Sequence, residues 1–484
     1  MRWRPFFLLL PSLLLLGGCG TGQEKAYHPR IEDWERELGA EQHPQILAEF
    51  GGSYKGDEAP YVARVGEQVA AAAGLPRQCT FTLVNTDVVN AFAVPGCYIY
   101  VTRGLLAIVN SEAELASILA HETGHIVADH SERQQKRSLW RNLGVFAVGF
   151  VTGSERLTRI AGRAAALFTL RYSRKQEYEA DDLGIATMIK AGYNPFAAAD
   201  MFGALARNEH FVAQTSGHDE ASSIPEWSRT HPLTENRIER ARNAAAATGP
   251  AGDALPEKKA VFLDRVDGLL YGDDPEQGFV VGRHFAHPLL RIAFTAPPGF
   301  TLTNSPQSIL IEGPDGLRGE FGGGSLPTEG LEAYVSALTA KLLQGAPAAV
   351  GAATPTLING VPTLIVPLRA ETEAGPIEIA IAAYDGSNRR AHHFTMISPP
   401  TAAANAAITE LFRSFRLLSP QQAAALRPRA IDVVTAGARD SIQSLAARMA
   451  TDHKLAHFLM LNGRTADAPL RAGERLKLVV MARR

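Results

Sequence analysis

His121-Glu122-Thr123-Gly124-His125 sets two imidazoles four residues apart with a carboxylate beside the first. Helical positions four apart share one face, offset by about 40°. Both rings can therefore reach a single Zn2+, one per chain, and Glu122 stands next to it as the base that acts on water. Separate residues predict the helix. Ser111 with Glu114 three positions on is a capping box, and Ala113 to Ala120 is nearly continuous apolar sequence. Such a motif also arises by chance on helices, so a third ligand is needed to give it weight.

The long metzincin spacing would place a Gly and a third His at positions 128 and 131, where Ala128 and Ser131 stand. His130 lies about 180° around a continued helix from His121 and is not expected to be a ligand. The segment Ser173-Arg174-Lys175-Gln176-Glu177-Tyr178-Glu179-Ala180-Asp181 serves better. Ser173 caps a helix with Gln176 at its third position, and Glu177 and Asp181 then share a face. Glu177 supplies the carboxylate of a His2Glu site, and Asp181 accepts a hydrogen bond from the outer nitrogen of a ligating His. Gly184 lets the two helices approach closely, and Gly192 with Pro195 ends the second one. Alone, an acidic helix like this is a solvated face. Paired with the first motif, it is not.

The elements around these residues form an α+β chain. A first region, 27–247, opens with helical patterning, carries strand-like runs at Phe81 to Val84 and Tyr98 to Thr102, and then holds both ligand helices. Its fold is expected to be mostly helical with a small sheet. Gly249-Pro250-Ala251-Gly252 marks a linker. A middle region, 253–420, alternates strands (Ile309 to Glu312, Leu364 to Leu368, Ile377 to Ala383, His393 to Ile397) with helices (Leu331 to Leu343, Ala403 to Phe415). It shows no titratable cluster with catalytic spacing, and a scaffold or interaction role is expected. The last region, 428–484, patterns as strand, two short helices around Leu461-Asn462-Gly463, and a closing strand.

Five motifs, read in order, resemble the zinc peptidases that include the CAAX prenyl protease, HtpX, mitochondrial Oma and periplasmic BepA. They are Asn90-Ala91-Phe92-Ala93-Val94-Pro95-Gly96, Gly104-Leu105-Leu106, the His-Glu-Thr-Gly-His helix, Ser173-Arg174 with Glu177 to Asp181, and Thr230-His231-Pro232 with Arg237-Ile238. The resemblance covers the first region and is nearest to the soluble, BepA-like members. It implies a zinc endopeptidase of gluzincin type. It implies that His231 is a mobile histidine near the metal, which closes the open coordination position in one state and stabilises the oxyanion in another. It further implies substrate contacts from Asn90 and Phe92, on an edge strand spanning 89–94, and from Arg237. Cys97 departs from the pattern, since many relatives have a second Gly there.

Arg2 and Arg4, the apolar run Phe6 to Leu16 and Leu16-Gly17-Gly18-Cys19 resemble a lipoprotein leader occupying 1–19, with Cys19 taking the lipid. Gly20 in place of Asp favours the outer membrane, so a lipid-anchored periplasmic location is expected. Cys79 and Cys97 then remain of the three cysteines. An oxidising periplasm permits a disulfide, and two buried free thiols are the equal alternative. No later stretch is long enough to span a bilayer; Leu143 to Val151 covers about half the length. The last region resembles a LysM-like module, which implies peptidoglycan binding, although the usual Gly-Asp-Thr start stands here as Ala438-Arg439-Asp440-Ser441. With a formal net charge of -2, nothing suggests a nucleic-acid partner. The resemblance implies misfolded or stalled envelope proteins as substrates. The competing reading is an envelope assembly factor or chaperone that binds clients and rarely cuts.

Overall fold

The computed structural model describes residues 29–131, 172–215, 226–232, 235–343, 347–372, 375–386 and 388–482. The leader with Cys19, and the apolar stretch 143–151, lie outside the described residues. Helices α1 (Asp33–Glu49) and α2 (Glu58–Ala72) precede strands β1 (Thr80–Val84), β2 (Ala91–Val94) and β3 (Tyr98–Thr102). Helices α3 (Arg103–Ile108), α4 (Glu112–Val127), α5 (Arg174–Lys190) and α6 (Ala197–Thr215) follow. Then come α7 (Glu226–Thr230), α8 (Glu235–Ala246), α9 (Gly249–Asp253), α10 (Lys259–Val266) and the short strand β4 (Leu270–Tyr271).

The first sheet runs β1-β3-β2, with β1 parallel and β2 antiparallel to β3. β2 is thus an edge strand. The turn from β2 to β3 passes through Gly96 and Cys97, both left-handed at φ 82° and 60°. Glycine adopts this conformation freely and cysteine does not, but Cys97 is bonded to Cys79 just ahead of β1 and is buried. The disulfide holds the turn that a second glycine would otherwise ease.

β4 leads into the middle region: β5 (Phe279–Val281), β6 (His284–His287), β7 (Ile292–Thr295), β8 (Thr301–Asn304), β9 (Ile309–Glu312) and β10 (Arg318–Ser325). Helix α11 (Leu331–Leu343), β11 (Ala348–Val350), β12 (Thr354–Ile358), β13 (Val361–Thr372), β14 (Gly375–Asp385) and β15 (Arg390–Ser398) come next. α12 (Ala402–Arg413), β16 (Arg416–Leu417) and α13 (Pro420–Ala425) complete it. The large sheet has the order β11-β13-β14-β15-β10-β9-β8, with β12 also on β13, and a smaller one has β16-β7-β6-β5. α11 covers one side of the large sheet, where Leu338 and Leu342 meet Val366 and Ile381, while α12 joins the Phe294, Phe321 and Phe394 cluster. The architecture is α+β.

β17 (Arg429–Thr435), α14 (Ile442–Ala447), α15 (Lys454–Asn462) and β18 (Arg475–Met481) form the βααβ pattern read from the sequence. Two features were not legible there. β17 pairs with β4 as well as with β18, Tyr271 opposite Arg429, so the middle region is inserted between adjacent strands of one sheet. One hydrophobic cluster also joins Val65, Leu119, Met188 and Phe202 of the first region to Phe262 and Val266 of α10 and to Phe458, Leu461 and Leu478. Residues 259–269, placed in the middle region by their sequence, therefore pack in the same core as α4. The Lys477 ammonium is buried there and donates to the carbonyls of Ala107 and Val109, just ahead of the α4 cap. Among the described residues, no helix is long and apolar enough to cross a membrane.

Candidate metal centre

Two helices must lie close together for the predicted ligands to meet, and small residues let them. A Cβ added at Gly184 would come within 3.3 Å of the His121 nitrogen, and one at Gly124 within 2.9 Å of the Ala180 carbonyl oxygen. α4 begins at Ser111, whose hydroxyl accepts from the Glu114 amide, while the Glu114 carboxylate accepts from the Asn110 amide. α5 begins with a full capping box between Ser173 and Gln176. It ends where Gly192 turns left-handed and Tyr193 donates to the Met188 carbonyl.

His121 Nε2 lies 3.1 Å from His125 Nε2 and 3.5 Å from Glu177 Oε2. His231 Nδ1 lies 3.3 Å from His121 Nε2 and 3.1 Å from Glu177 Oε1. His125 Nε2 and Glu177 Oε1 are 3.7 Å apart. Donor atoms about 2.0–2.1 Å from one ion at tetrahedral corners would be roughly 3.3 Å from each other. The four side chains fit that requirement, all within 4.8 Å of one another and all buried. Three imidazole nitrogens converging with a carboxylate in a buried pocket are a donor set that suits a divalent cation.

The surroundings call for positive charge. Burial pushes the Glu122 carboxyl above the usual carboxylate range, which suits a base that must hold and release a proton. Burial opposes ionisation of Glu177 too, but His231 and His121 hold it well below that range. Asp181 is likewise held low, against burial, by Arg237 and His121. Against its own burial, His121 is raised to about 9 by Asp181 and Glu177. Burial and the nearby His121 keep His125 well below its ordinary value, in the neutral form that binds metals.

Asp181 Oδ1 sits 2.9 Å from His121 Nδ1, the outer nitrogen of that ring, as its helix spacing suggested. Arg237 is placed differently from the substrate contact expected of it. It is 1% exposed, and its guanidinium spans both Asp181 oxygens and reaches Glu177 at 2.8 Å. Phe92 stacks on Tyr100 at 4.9 Å with Phe50 alongside, on the face of β2 opposite the one where Ala91 and Ala93 join the α4 core. Its side chain therefore points away from α4. The Asn90 backbone exchanges two hydrogen bonds with the Thr102 hydroxyl, and its buried amide has no partner among the described residues. Glu122 Oε1 is 3.7 Å from His231 Nε2.

Four residues of the site were missed by sequence reasoning. Trp227 stacks on His231 with ring centres 4.4 Å apart, and Tyr172 stacks on His125 at 3.9 Å. His130 is not in the ligand group, as expected, yet it does not face away. α4 stops at Val127 and Asp129 turns left-handed at φ 50°, which brings His130 Nδ1 to 2.8 Å from His125 Nδ1. Glu179 reaches His130 from the other helix. In the sequence, Asp129, a residue type that tolerates the left-handed region, is a signal of such a break.

Residues 57–245 match the family described as Peptidase family M48. The chain is similar to the "Beta-barrel assembly-enhancing protease" of Yersinia pestis, 30% identical over 55% of this chain and 58% of that one. It is also similar to "Mitochondrial metalloendopeptidase OMA1" of Schizosaccharomyces pombe, at 28% identity over 43% and 60% of the two chains. The Escherichia coli "Beta-barrel assembly-enhancing protease" is 29% identical over 35% of each. The chain thus spans between about a third and three fifths of the length of these relatives.

Proposed function

We propose that this chain, whose residues 57–245 match Peptidase family M48, is a metal-dependent endopeptidase of the bacterial envelope. The observation that carries the reading is the convergence of His121, His125 and Glu177 from two helices, with the buried Glu122 beside them. Zinc suits a donor set of imidazoles and one carboxylate. When bound, it would polarise a scissile carbonyl and acidify a water. Glu122 takes the proton from that water and passes it to the leaving amine. Arg237 fixes the Glu177 and Asp181 carboxylates, and Asp181 fixes the His121 ring. The edge strand β2 offers main-chain groups to an extended substrate, a mode tolerant of sequence. His231 would complete a four-donor set with His121, His125 and Glu177, an arrangement we take as a latent form. Moved away from that set, its ring would stabilise the oxyanion.

The substrates proposed are misfolded or stalled outer-membrane proteins, in keeping with the printed names of the bacterial relatives. Anchoring through Cys19 to the outer membrane is part of the same reading. So is a LysM-like role for residues 428–484, tested by retention on purified cell-wall sacculi. The closed four-donor set also favours a second reading, an assembly factor that binds clients with little cutting. Cleavage of casein by wild type and His231→Ala, with and without chelator, separates the two. Chelator-sensitive cutting that rises in His231→Ala supports the peptidase. Zinc-loaded protein that cuts nothing in either form overturns it and leaves the binding factor.

A further inference from the structure

The proposed ion-binding histidines are steadied from behind in different ways. His121 Nδ1 faces Asp181, an ionised carboxylate locked by Arg237. Among the described residues, His125 Nδ1 faces no carboxylate. It lies 2.8 Å from His130 Nδ1, and His130 Nε2 lies 3.2 Å from Glu179 Oε2. Both imidazoles are no more than 1% exposed, whereas the Glu179 side chain is 19% exposed.

Two facing ring nitrogens at this distance hold one proton between them, and its position follows from the rest of the chain of contacts. With His125 Nε2 turned to the ion, its proton sits on Nδ1 and is donated to His130 Nδ1. His130 then carries its own proton on Nε2 and donates it to Glu179. Every contact has one donor and one acceptor, and both tautomers are fixed. Tyr172, stacked on the His125 ring at 3.9 Å, closes the remaining face.

We infer that His130, backed by Glu179, is a positioning residue that sets the tautomer and aim of His125 for metal binding. This rests on the reading that His125 meets the ion through Nε2. It assigns three tasks to α5: Glu177 ligates, Asp181 steadies one imidazole directly, and Glu179 steadies the other through an intervening ring. His130 touches neither substrate nor metal.

The test reads zinc affinity of the full chain by competition with a chromophoric chelator, alongside the visible spectrum of the Co2+-loaded protein. Replacing groups that orient a ligand typically weakens a site about 10- to 100-fold. His130→Ala is expected to weaken zinc by that much and to shift the cobalt bands. His130→Asn offers an amide oxygen where Nδ1 accepts, and is expected to return affinity to within a few-fold of wild type. Glu179→Gln keeps an acceptor and should behave as wild type, while Glu179→Leu should weaken binding. If His130→Ala does not fold, the Asn variant and the two Glu179 variants decide. Wild-type affinity in His130→Ala, or an Asn variant no better than Ala, overturns the inference while leaving the metal centre standing. A wild type that takes up no divalent ion overturns the metal centre as well.

Discussion

At the scale of single residues the site separates the groups proposed to hold the ion from the group proposed to react. Burial pushes all three carboxyls of the cluster up, but only Glu122 ends above its ordinary range; His231 and His121 hold Glu177 low, and Arg237 and His121 hold Asp181 low. Glu122→Gln keeps the shape and removes the proposed base. We expect it to retain zinc by elemental analysis and to lose cleavage by about 10³-fold or more, general-base catalysis being worth about 10²- to 10⁴-fold with further loss from misplaced water. Retained activity with metal bound would place the base elsewhere. Arg237→Ala strips two buried carboxylates of their partner, and breaking a buried pair this way costs about 3–5 kcal/mol. A thermal melt within a degree of wild type would contradict its burial. The two histidines, their glutamate and Glu177 were readable because helical spacing is local. His130 was not, because a wheel projection assumes a helix that in fact ends at Val127.

At the scale of elements, the contact between α4 and α5 is the joint on which the centre depends. Gly184→Val puts side-chain carbon against the His121 backbone, and overpacking of this kind costs about 1–3 kcal/mol. The variant should stay folded at low temperature yet lose zinc, because even a small separation pulls Glu177 from the imidazoles. A zinc content equal to wild type would show that the helices have slack. The start of α4 has its own pH signature. Glu112 accepts from Lys258, Tyr193 and Arg64, and although burial opposes them these partners hold its carboxyl below the ordinary 4.5. A carboxyl lowered on folding stabilises fully above its unfolded value and loses that contribution as pH falls through the folded one. Glu112→Gln should therefore lower the melting temperature at pH 7, by an amount equivalent to about 1–2 kcal/mol, and the gap to wild type should narrow as the pH falls below 4.5 and through the lowered value. Strands such as Tyr98–Thr102 and Ile309–Glu312 were legible to the residue, being apolar and bounded by turn residues. The three- and four-residue strands from Phe279 to His287 were not, since their stability comes from neighbours rather than pattern.

At the scale of the whole molecule, the insertion between β4 and β17 makes the three regions unequal partners. Tyr271 and Arg429 are opposed in an antiparallel pair, about 5 Å apart. Removing 273–427 and bridging the gap with a two-residue turn should leave a soluble, zinc-binding protein with one melting transition. Removing 428–484 should not, because Phe458, Leu461 and Leu478 leave the core that α4 shares. If the second truncation binds zinc as wild type does, the shared core contributes little to the site. None of this was visible in the sequence, where the β4 and β17 pairing is a meeting of two distant short runs. It also bears on the order in which a newly made chain becomes complete. Synthesis delivers every metal ligand early, but the lysine that satisfies the carbonyls of Ala107 and Val109 comes late, on β18. A chain made only as far as β17 holds the proposed donors without the keystone that seats their helix, so a complete metal centre is expected only once β18 has been added.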